Sequence, residues 1–128
     1  MQFKTYMQKN KPVYMYLHGE CLSAFSFQEE IRELKKDYTL IVPILDGHGG
    51  EAQKPFISIQ DCAEQLLSYI QTHFNGHIQV LSGCEAGVLM QAFMPMLWQE
   101  RNGSINSCII PYSMTIMPLK IITAIIRL

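Results

Sequence analysis

The chain lacks any concentration of positive charge that would suggest nucleic acid as a partner. Its 128 residues contain 10 Lys and Arg against 11 Asp and Glu. No basic block occurs, and no basic stripe is interleaved with aromatic residues. Because proteins neutralise phosphate backbones with clustered cations, the sequence argues against nucleic acid as the main partner.

The chain also lacks paired cysteine motifs and a secretory signal. Its four cysteines show no C-x-x-C spacing: Cys21, Cys62, Cys84 and Cys108. The N-terminal sequence MQFKTYMQKNKP has no apolar stretch of the kind that precedes a signal-peptide cleavage site. We therefore expect free thiols and a cytoplasmic location.

No uninterrupted apolar run is long enough to cross a membrane. The most apolar region, residues 105–128, is interrupted by Pro111, Pro118 and Lys120, whereas a transmembrane helix needs ~20 mainly apolar residues. We therefore expect no membrane span.

Since 48% of the residues are hydrophobic, the chain can form one domain with a buried core, and we expect residues 1–128 to be a single domain.

Apolar patterns predict strands that alternate with helices. Strands are predicted at residues 3–6, 13–17, 39–45, 78–82 and 104–110. Helices are predicted at residues 26–36, 58–74, 87–98 and 118–128. Because more than a dozen residues connect successive core strands, we expect a mostly parallel sheet with helices on both faces, an α/β three-layer sandwich.

Polar residues mark the ends of two predicted helices. Ser26 and Glu29 have the spacing of a capping box at the start of the first helix. Ser58 and Asp61 predict the start of the second helix, which Asn75-Gly76 ends. His73 and His77 flank that last turn, where surface exposure is the ordinary outcome.

Ligands of parallel sheets bind beyond the carboxyl ends of the strands. Here those positions are the turns at 18–19, 46–50 and 82–87. The loop DGHGG lacks the G-x-G-x-x-G spacing of a dinucleotide site, so no cofactor is predicted. His48 and Asp46 supply only two candidate metal ligands, and no metal site is predicted either.

The third turn has the pattern of a nucleophile elbow, which needs small residues around the side chain that it lifts above the sheet. In one register, Gly83 and Gly87 flank Glu85. In a second register, Cys84 is the nucleophile and Ser82 and Ala86 are its small neighbours. We favour Glu85, because this register keeps both glycines.

With these motifs the chain resembles the α/β-hydrolase family. The segment YLHG matches the histidine-glycine turn beside the family's oxyanion hole, and PILDGHGG matches the loop after the next strand. The likeness implies an ancestral carboxylic-ester hydrolase with a small ester-like ligand, in which His18 and Gly19 shape the oxyanion-side turn. It covers about the first half of a full-length relative, so the resemblance implies a truncated hydrolase.

The departures from the family pattern concern catalysis. Glu85 stands where the family's elbow has serine, and no histidine or aspartate follows Gly87. In the family, the acid and the histidine of the triad follow the nucleophile. We therefore expect a catalytically impaired chain.

Three alternatives stay open: a reactive Cys84 thiol favoured by the helix dipole, a non-catalytic module that binds a ligand or a protein, and one half of a hydrolase that a second chain completes.

The C-terminal segment is relevant to the last two alternatives. It would form an apolar helix with little further chain to cover it. We expect it to mediate self-association or contact with a partner chain. Its apolar residues are Ile116, Leu119, Ile121, Ile122, Ile125 and Ile126.

Overall fold

The computed structural model describes residues 1–19, 24–84, 94 and 108–112. For residues 26, 84 and 108–112 the description covers the backbone. The predicted helix at 118–128 lies outside the described residues. The predicted helix at 87–98 does too, except for Met94, which is helical and buried.

The described strands form one mixed sheet. They are β1 (Gln2–Tyr6), β2 (Val13–Leu17), β3 (Thr39–Ile44), β4 (Val80–Cys84) and β5 (Cys108–Tyr112). The strand order is β1-β3-β2-β4-β5, and β2 to β5 are parallel, which confirms the predicted mostly parallel sheet. β1 is antiparallel to β3, because the short connection at 7–12 cannot make the crossover that a parallel β1 and β2 would need.

Two strands lie later in the chain than predicted. β4 begins and ends two residues after the predicted 78–82, so Cys84 is its last residue. β5 includes Pro111, opposite Gly83 of β4. A proline, which cannot donate a backbone hydrogen bond, is tolerated there because β5 is an edge strand among those described.

The long helix has the predicted ends. α1 covers Gln28–Leu34 and α2 covers Ile59–Phe74. Ser58 Oγ accepts a hydrogen bond from the backbone N–H of Asp61 at 3.0 Å, and Asn75 ends α2 in the left-handed conformation with φ 51°. No helix in the described part of the chain is long and apolar enough to cross a membrane.

The start of α1 differs from the predicted capping box. A 3-10 turn occupies Ala24–Phe27, α1 begins after it at Gln28, and no side chain caps its first turn. Phe27 instead packs edge-on against Tyr16, with ring centroids 4.9 Å apart. The predicted helix start at Ser26 is wrong, because the N-cap position is Phe27, whose ring is buried.

The sheet separates two hydrophobic cores. Met15 and Leu17 of β2 lie on one face and pack with α2. Tyr14 and Tyr16, which alternate with them, lie on the other face and pack with α1. Helices therefore cover both faces of the sheet, as the sequence predicts.

Candidate functional site

The parallel strands β2, β3 and β4 end at the same edge of the sheet. β2 and β4 are parallel, and Leu17 pairs with Gly83. The next residues, His18 and Cys84, therefore leave neighbouring strands at the same edge. This edge, which we call the carboxyl rim, holds the predicted site residues that the structure describes.

Both ring nitrogens of His18 form hydrogen bonds with the backbone. The Leu45 N–H donates to Nε2 at 3.1 Å, so Nε2 must be unprotonated and Nδ1 must carry the hydrogen. Nδ1 then donates to the carbonyl oxygen of Gly19 at 2.8 Å. The side chain is fully buried, and it joins the end of β2 to the residue that follows β3.

The environment keeps His18 neutral. Burial lowers the pKa of His18 below its ordinary value of 6.5, and the nearby His48 lowers it further, while the hydrogen bond to Gly19 opposes them. A neutral ring with both nitrogens engaged has no free position to take a proton from a substrate. His18 therefore joins the turn after β2 to the residue after β3 through both of its ring nitrogens.

Asp46 lies in a network that joins three parts of the fold. Its carboxylate forms an ion pair with the ammonium group of Met1 and accepts a hydrogen bond from Gln65 Nε2 at 3.0 Å. Gln65 also donates to Asp61 at 2.8 Å. Burial alone would raise the pKa of Asp46, but the hydrogen bonds from the ammonium group and Gln65 outweigh it and lower that pKa. Gln65 is not among the site residues predicted from the sequence, although its spacing of four residues from Asp61 on one helix was a usable signal.

His48 and the Asp46 carboxylate do not face a common ligand. Nδ1 of His48 donates to the backbone oxygen of Asp46 at 3.0 Å, while the Asp46 carboxylate binds the groups described above. Within the described ranges, no three His, Cys, Asp or Glu side chains gather as metal ligands. With Nδ1 donating, Nε2 of His48 is the basic nitrogen, and its half-buried ring lies on the carboxyl rim.

The loop after β3 closes tightly around His48. The Gly47 N–H donates to the carbonyl oxygen of Glu51 at 3.1 Å, and Gly47 has φ 80°. The ring centroids of His18 and His48 are 5.4 Å apart, and the ring centroids of His48 and Phe56 are 6.1 Å apart. Sequence reasoning did not single out Phe56, whose contact with His48 only the folded loop creates.

The elbow itself lies at the limit of the described chain. Gly83 is buried in β4, and Cys84 ends that strand. Glu85, Ala86 and Gly87 lie outside the described residues, so both elbow registers stay predictions. The role of His18 and Gly19 beside an oxyanion hole stays a prediction for the same reason.

Solved structures supply the comparison with known proteins. No protein-family model and no curated protein sequence matches the chain. An alpha/beta hydrolase family protein from Desulfitobacterium hafniense is similar, with a TM-score of 0.74 and 20% identity, over 86% of this chain and 43% of that chain. The type II thioesterase BorB from the borrelidin biosynthetic cluster is similar with a TM-score of 0.68 and 14% identity, over 84% of this chain and 45% of that chain.

A third similar structure has a different activity. It is 1H-3-hydroxy-4-oxoquinoline 2,4-dioxygenase, with a TM-score of 0.65 and 19% identity, over 77% of this chain and 38% of that chain. The chain thus spans less than half the length of each of these structures. Hydrolases and a dioxygenase share this architecture, so the likeness identifies the architecture and not the reaction. The chain has the α/β-hydrolase fold.

Proposed function

We propose that this chain carries the scaffold of an ester-type hydrolase and does not turn over esters on its own. The observation that carries the proposal is the state of His18. It is the histidine whose strand lies directly beside β4, and both its ring nitrogens are bonded to the backbone. A nucleophile at the elbow therefore has no base in the nearest histidine.

The rest of the sequence supports the same conclusion. Neither Glu85 nor Cys84 is followed by a histidine or an aspartate in this chain. A carboxylate or thiolate at the elbow could still attack an ester carbonyl carbon, which forms an acyl-enzyme and expels an alkoxide that takes a proton from water. The acyl-enzyme that results needs a base to activate water, and without one it persists instead of turning over.

The ester specificity of the proposed ancestor rests on the resemblance at the elbow and on similar structures that include a type II thioesterase. Esters and thioesters are both cleaved through a tetrahedral intermediate that an oxyanion hole stabilises. We therefore propose a small ester-like or thioester-like molecule as the ligand of the carboxyl rim.

The test is an assay of short-chain p-nitrophenyl esters and of an acyl thioester with the 128-residue chain. We expect no steady-state release above that of buffer. Mass spectrometry of the intact chain after incubation shows whether a single acyl group is retained. The matched variants are Cys84→Ala and Glu85→Ala, which remove the two candidate nucleophiles one at a time.

A third variant, His48→Gln, tests the remaining basic nitrogen on the rim. Steady-state turnover that disappears in a nucleophile variant and in His48→Gln would show an active enzyme and overturn the proposal. His77→Gln is the matched control, because His77 is exposed at the opposite end of β4.

A second chain that supplies the missing acid and histidine is the competing proposal. It is supported by the length of the similar structures, of which this chain covers only 38% to 45%. Turnover that appears only when such a chain is added would favour it.

A further inference from the structure

The end of the sheet opposite the carboxyl rim gathers lysines that are scattered in the sequence. Lys9 and Lys11 lie in the connection between β1 and β2, and Lys35 follows α1. The Lys35 ammonium nitrogen lies 5.8 Å from the centroid of the Tyr6 ring, and Lys4 lies on the same face of β1, two residues before Tyr6 and opposite Val42 of β3. We call these four lysines and Met7 the basic end.

Hydrogen bonds hold the connection at 7–12 against the start of β3. The Gln8 N–H donates to Thr39 Oγ1 at 3.0 Å, and Thr39 Oγ1 donates to the Gln8 carbonyl oxygen at 2.9 Å. The Thr39 N–H donates to the Pro12 carbonyl oxygen at 2.9 Å. The turn that carries Lys9 and Lys11 is therefore pre-positioned, so little ordering entropy is lost when it binds a partner.

The charge of the basic end is not neutralised within the described residues. Lys36 forms an ion pair with Glu33 of α1 at 2.7 Å, and Asp37 is the exposed carboxylate of the connection that follows α1. None of the ion pairs among the described residues involves the four lysines of the basic end. A net positive surface therefore lies at this end of a chain whose formal net charge is -1.

The shape and composition of the basic end suit an extended anionic surface as partner better than a single small ligand. All six residues of the connection at 7–12 are exposed, so the turn projects from the fold. Its cations are lysines, which act as point charges, whereas specific recognition of phosphate groups favours the two-pronged arginine side chain. Met7, 69% exposed, adds an unbranched apolar side chain among the lysines.

We propose that the basic end docks reversibly onto an anionic lipid surface. The lysines are attracted to the headgroups, and the Met7 side chain enters the boundary between headgroups and acyl chains. The carboxyl rim then faces away from the lipid, because it lies at the other end of the parallel strands. This proposal is independent of whether the rim catalyses a reaction.

The test is flotation of the 128-residue chain with vesicles of phosphatidylcholine alone or with about a third of phosphatidylserine. We expect binding to the anionic vesicles only, and release as salt rises from 0.1 M to 1 M, where the Debye length falls from about 10 Å to about 3 Å. The double variant Lys9→Gln with Lys11→Gln should weaken binding about 30-fold, because each lysine contributes about 1 kcal/mol of attraction to an anionic surface.

The matched control changes the net charge by the same amount elsewhere. Gln28→Glu with Gln53→Glu adds two negative charges at exposed positions toward the carboxyl rim, at the start of α1 and in the loop after β3, and this variant should bind nearly as well as the parent chain. Met7→Gln should weaken binding about ten-fold, which corresponds to roughly 1.5 kcal/mol for burial of this side chain. Circular dichroism of each variant checks that it is folded.

Three results would overturn the proposal. The first is no binding to anionic vesicles by a folded chain. The second is equal loss in the lysine variant and in the Gln28 and Gln53 control, which would show an effect of net charge alone. The third is binding to polyglutamate without binding to vesicles, which would assign the basic end to an acidic protein instead.

Discussion

The side chain of His18 shows how a residue that sequence patterns place at a reactive turn is used structurally. Its two ring nitrogens bond to Gly19 and Leu45, which lie on different connections of the sheet. Protonation of the ring would turn Nε2 into a donor facing the Leu45 N–H, so the bond between the strands would be lost. Folding is therefore linked to the neutral state of His18.

This linkage predicts a pH dependence of stability. The pKa of His18 in the folded chain lies below 6.5, so the unfolded chain binds more protons between that folded pKa and 6.5. The contribution of His18 to the free energy of unfolding is present above pH 6.5 and is lost as pH falls toward the folded pKa. Urea unfolding from pH 8 to pH 5 measures it.

The variant for this prediction is His18→Gln, with His77→Gln as the exposed control. We expect His18→Gln to be less stable at pH 8 and to lose less stability on acidification than the parent chain. His77→Gln should follow the parent. Parallel curves for His18→Gln and the parent would show that His18 does not carry the linkage.

At the scale of elements, the loop after β3 and the first turn of α2 set the geometry of the carboxyl rim. The loop turns back on itself at Gly47, which brings Phe56 beside His48. The Ser58 cap starts α2 immediately afterwards. Gln65 on α2 then reaches Asp46 at the end of β3. Each feature fixes one contact of the rim, so each can be tested by one substitution.

Gly47→Ala should destabilise the chain, and Gly50→Ala should not. Gly47 has φ 80°, and a Cβ atom there would lie 3.1 Å from the Cβ atom of Phe56. We expect a loss of about 1–2 kcal/mol from the left-handed backbone, increased by that contact. At Gly50 a Cβ atom meets only Gln2 Oε1 at 3.5 Å, and the change should stay within about 0.5 kcal/mol. Chemical unfolding of both variants measures these changes. Equal losses of the free energy of unfolding would show that the backbone conformation of Gly47 is not the cause.

Ser58→Ala should remove the cap of α2. The hydroxyl accepts the Asp61 N–H at 3.0 Å, and loss of such a cap typically costs about 1 kcal/mol. Ser68→Ala, on an exposed position of the same helix, is the matched control and should leave the free energy of unfolding unchanged within about 0.5 kcal/mol. An equal loss of the free energy of unfolding in both variants would show that the Ser58 hydrogen bond is not its cause.

At the scale of the whole molecule, the sheet and α2 enclose one core in which Cys62 is fully buried. Burial, together with the nearby Asp46 and Asp61 carboxylates, raises the pKa of the Cys62 thiol to about 11. Few thiolates form at neutral pH, and reagents reach them only when α2 separates from the sheet. Alkylation of Cys62 therefore reports opening of this core.

In the folded chain, Cys62 should resist alkylation by iodoacetamide at pH 8, and it should react fully in denaturant. Peptide mass spectrometry measures the labelled fraction at this residue. Ser68→Cys places a thiol on the exposed side of the same helix and should react quickly without denaturant. Labelling of native Cys62 as fast as that of this control would show that the core is open.

Much of the fold follows from local patterns in the sequence. The continuous apolar and aromatic run of β2 predicts a buried strand, and the Ser58 and Asn75-Gly76 signals predict both ends of α2, because these features depend on neighbouring residues. The start of α1 and the bounds of β4 and β5 differ from the sequence prediction. There, packing of Phe27 and strand pairing across the sheet decide the ends, and neither is local.

The site was less predictable than the fold. The sequence identified the turns at His18, at 46–50 and after β4, because parallel strands bring their carboxyl ends together. It could not show that His18 uses both ring nitrogens, since Leu45 is a neighbour only in the folded sheet. Nor could it show that Gln65 joins Asp46 to Asp61.

The sequence by itself determined the α/β class, the alternation of strands and helices and the absence of a histidine after the elbow, because composition, periodicity and residue order are properties of the linear chain. Only the tertiary structure decided the protonation state of His18 and the gathering of Lys9, Lys11 and Lys35 at one end. Both depend on distances between residues far apart in the chain, and those distances exist only after the strands have paired.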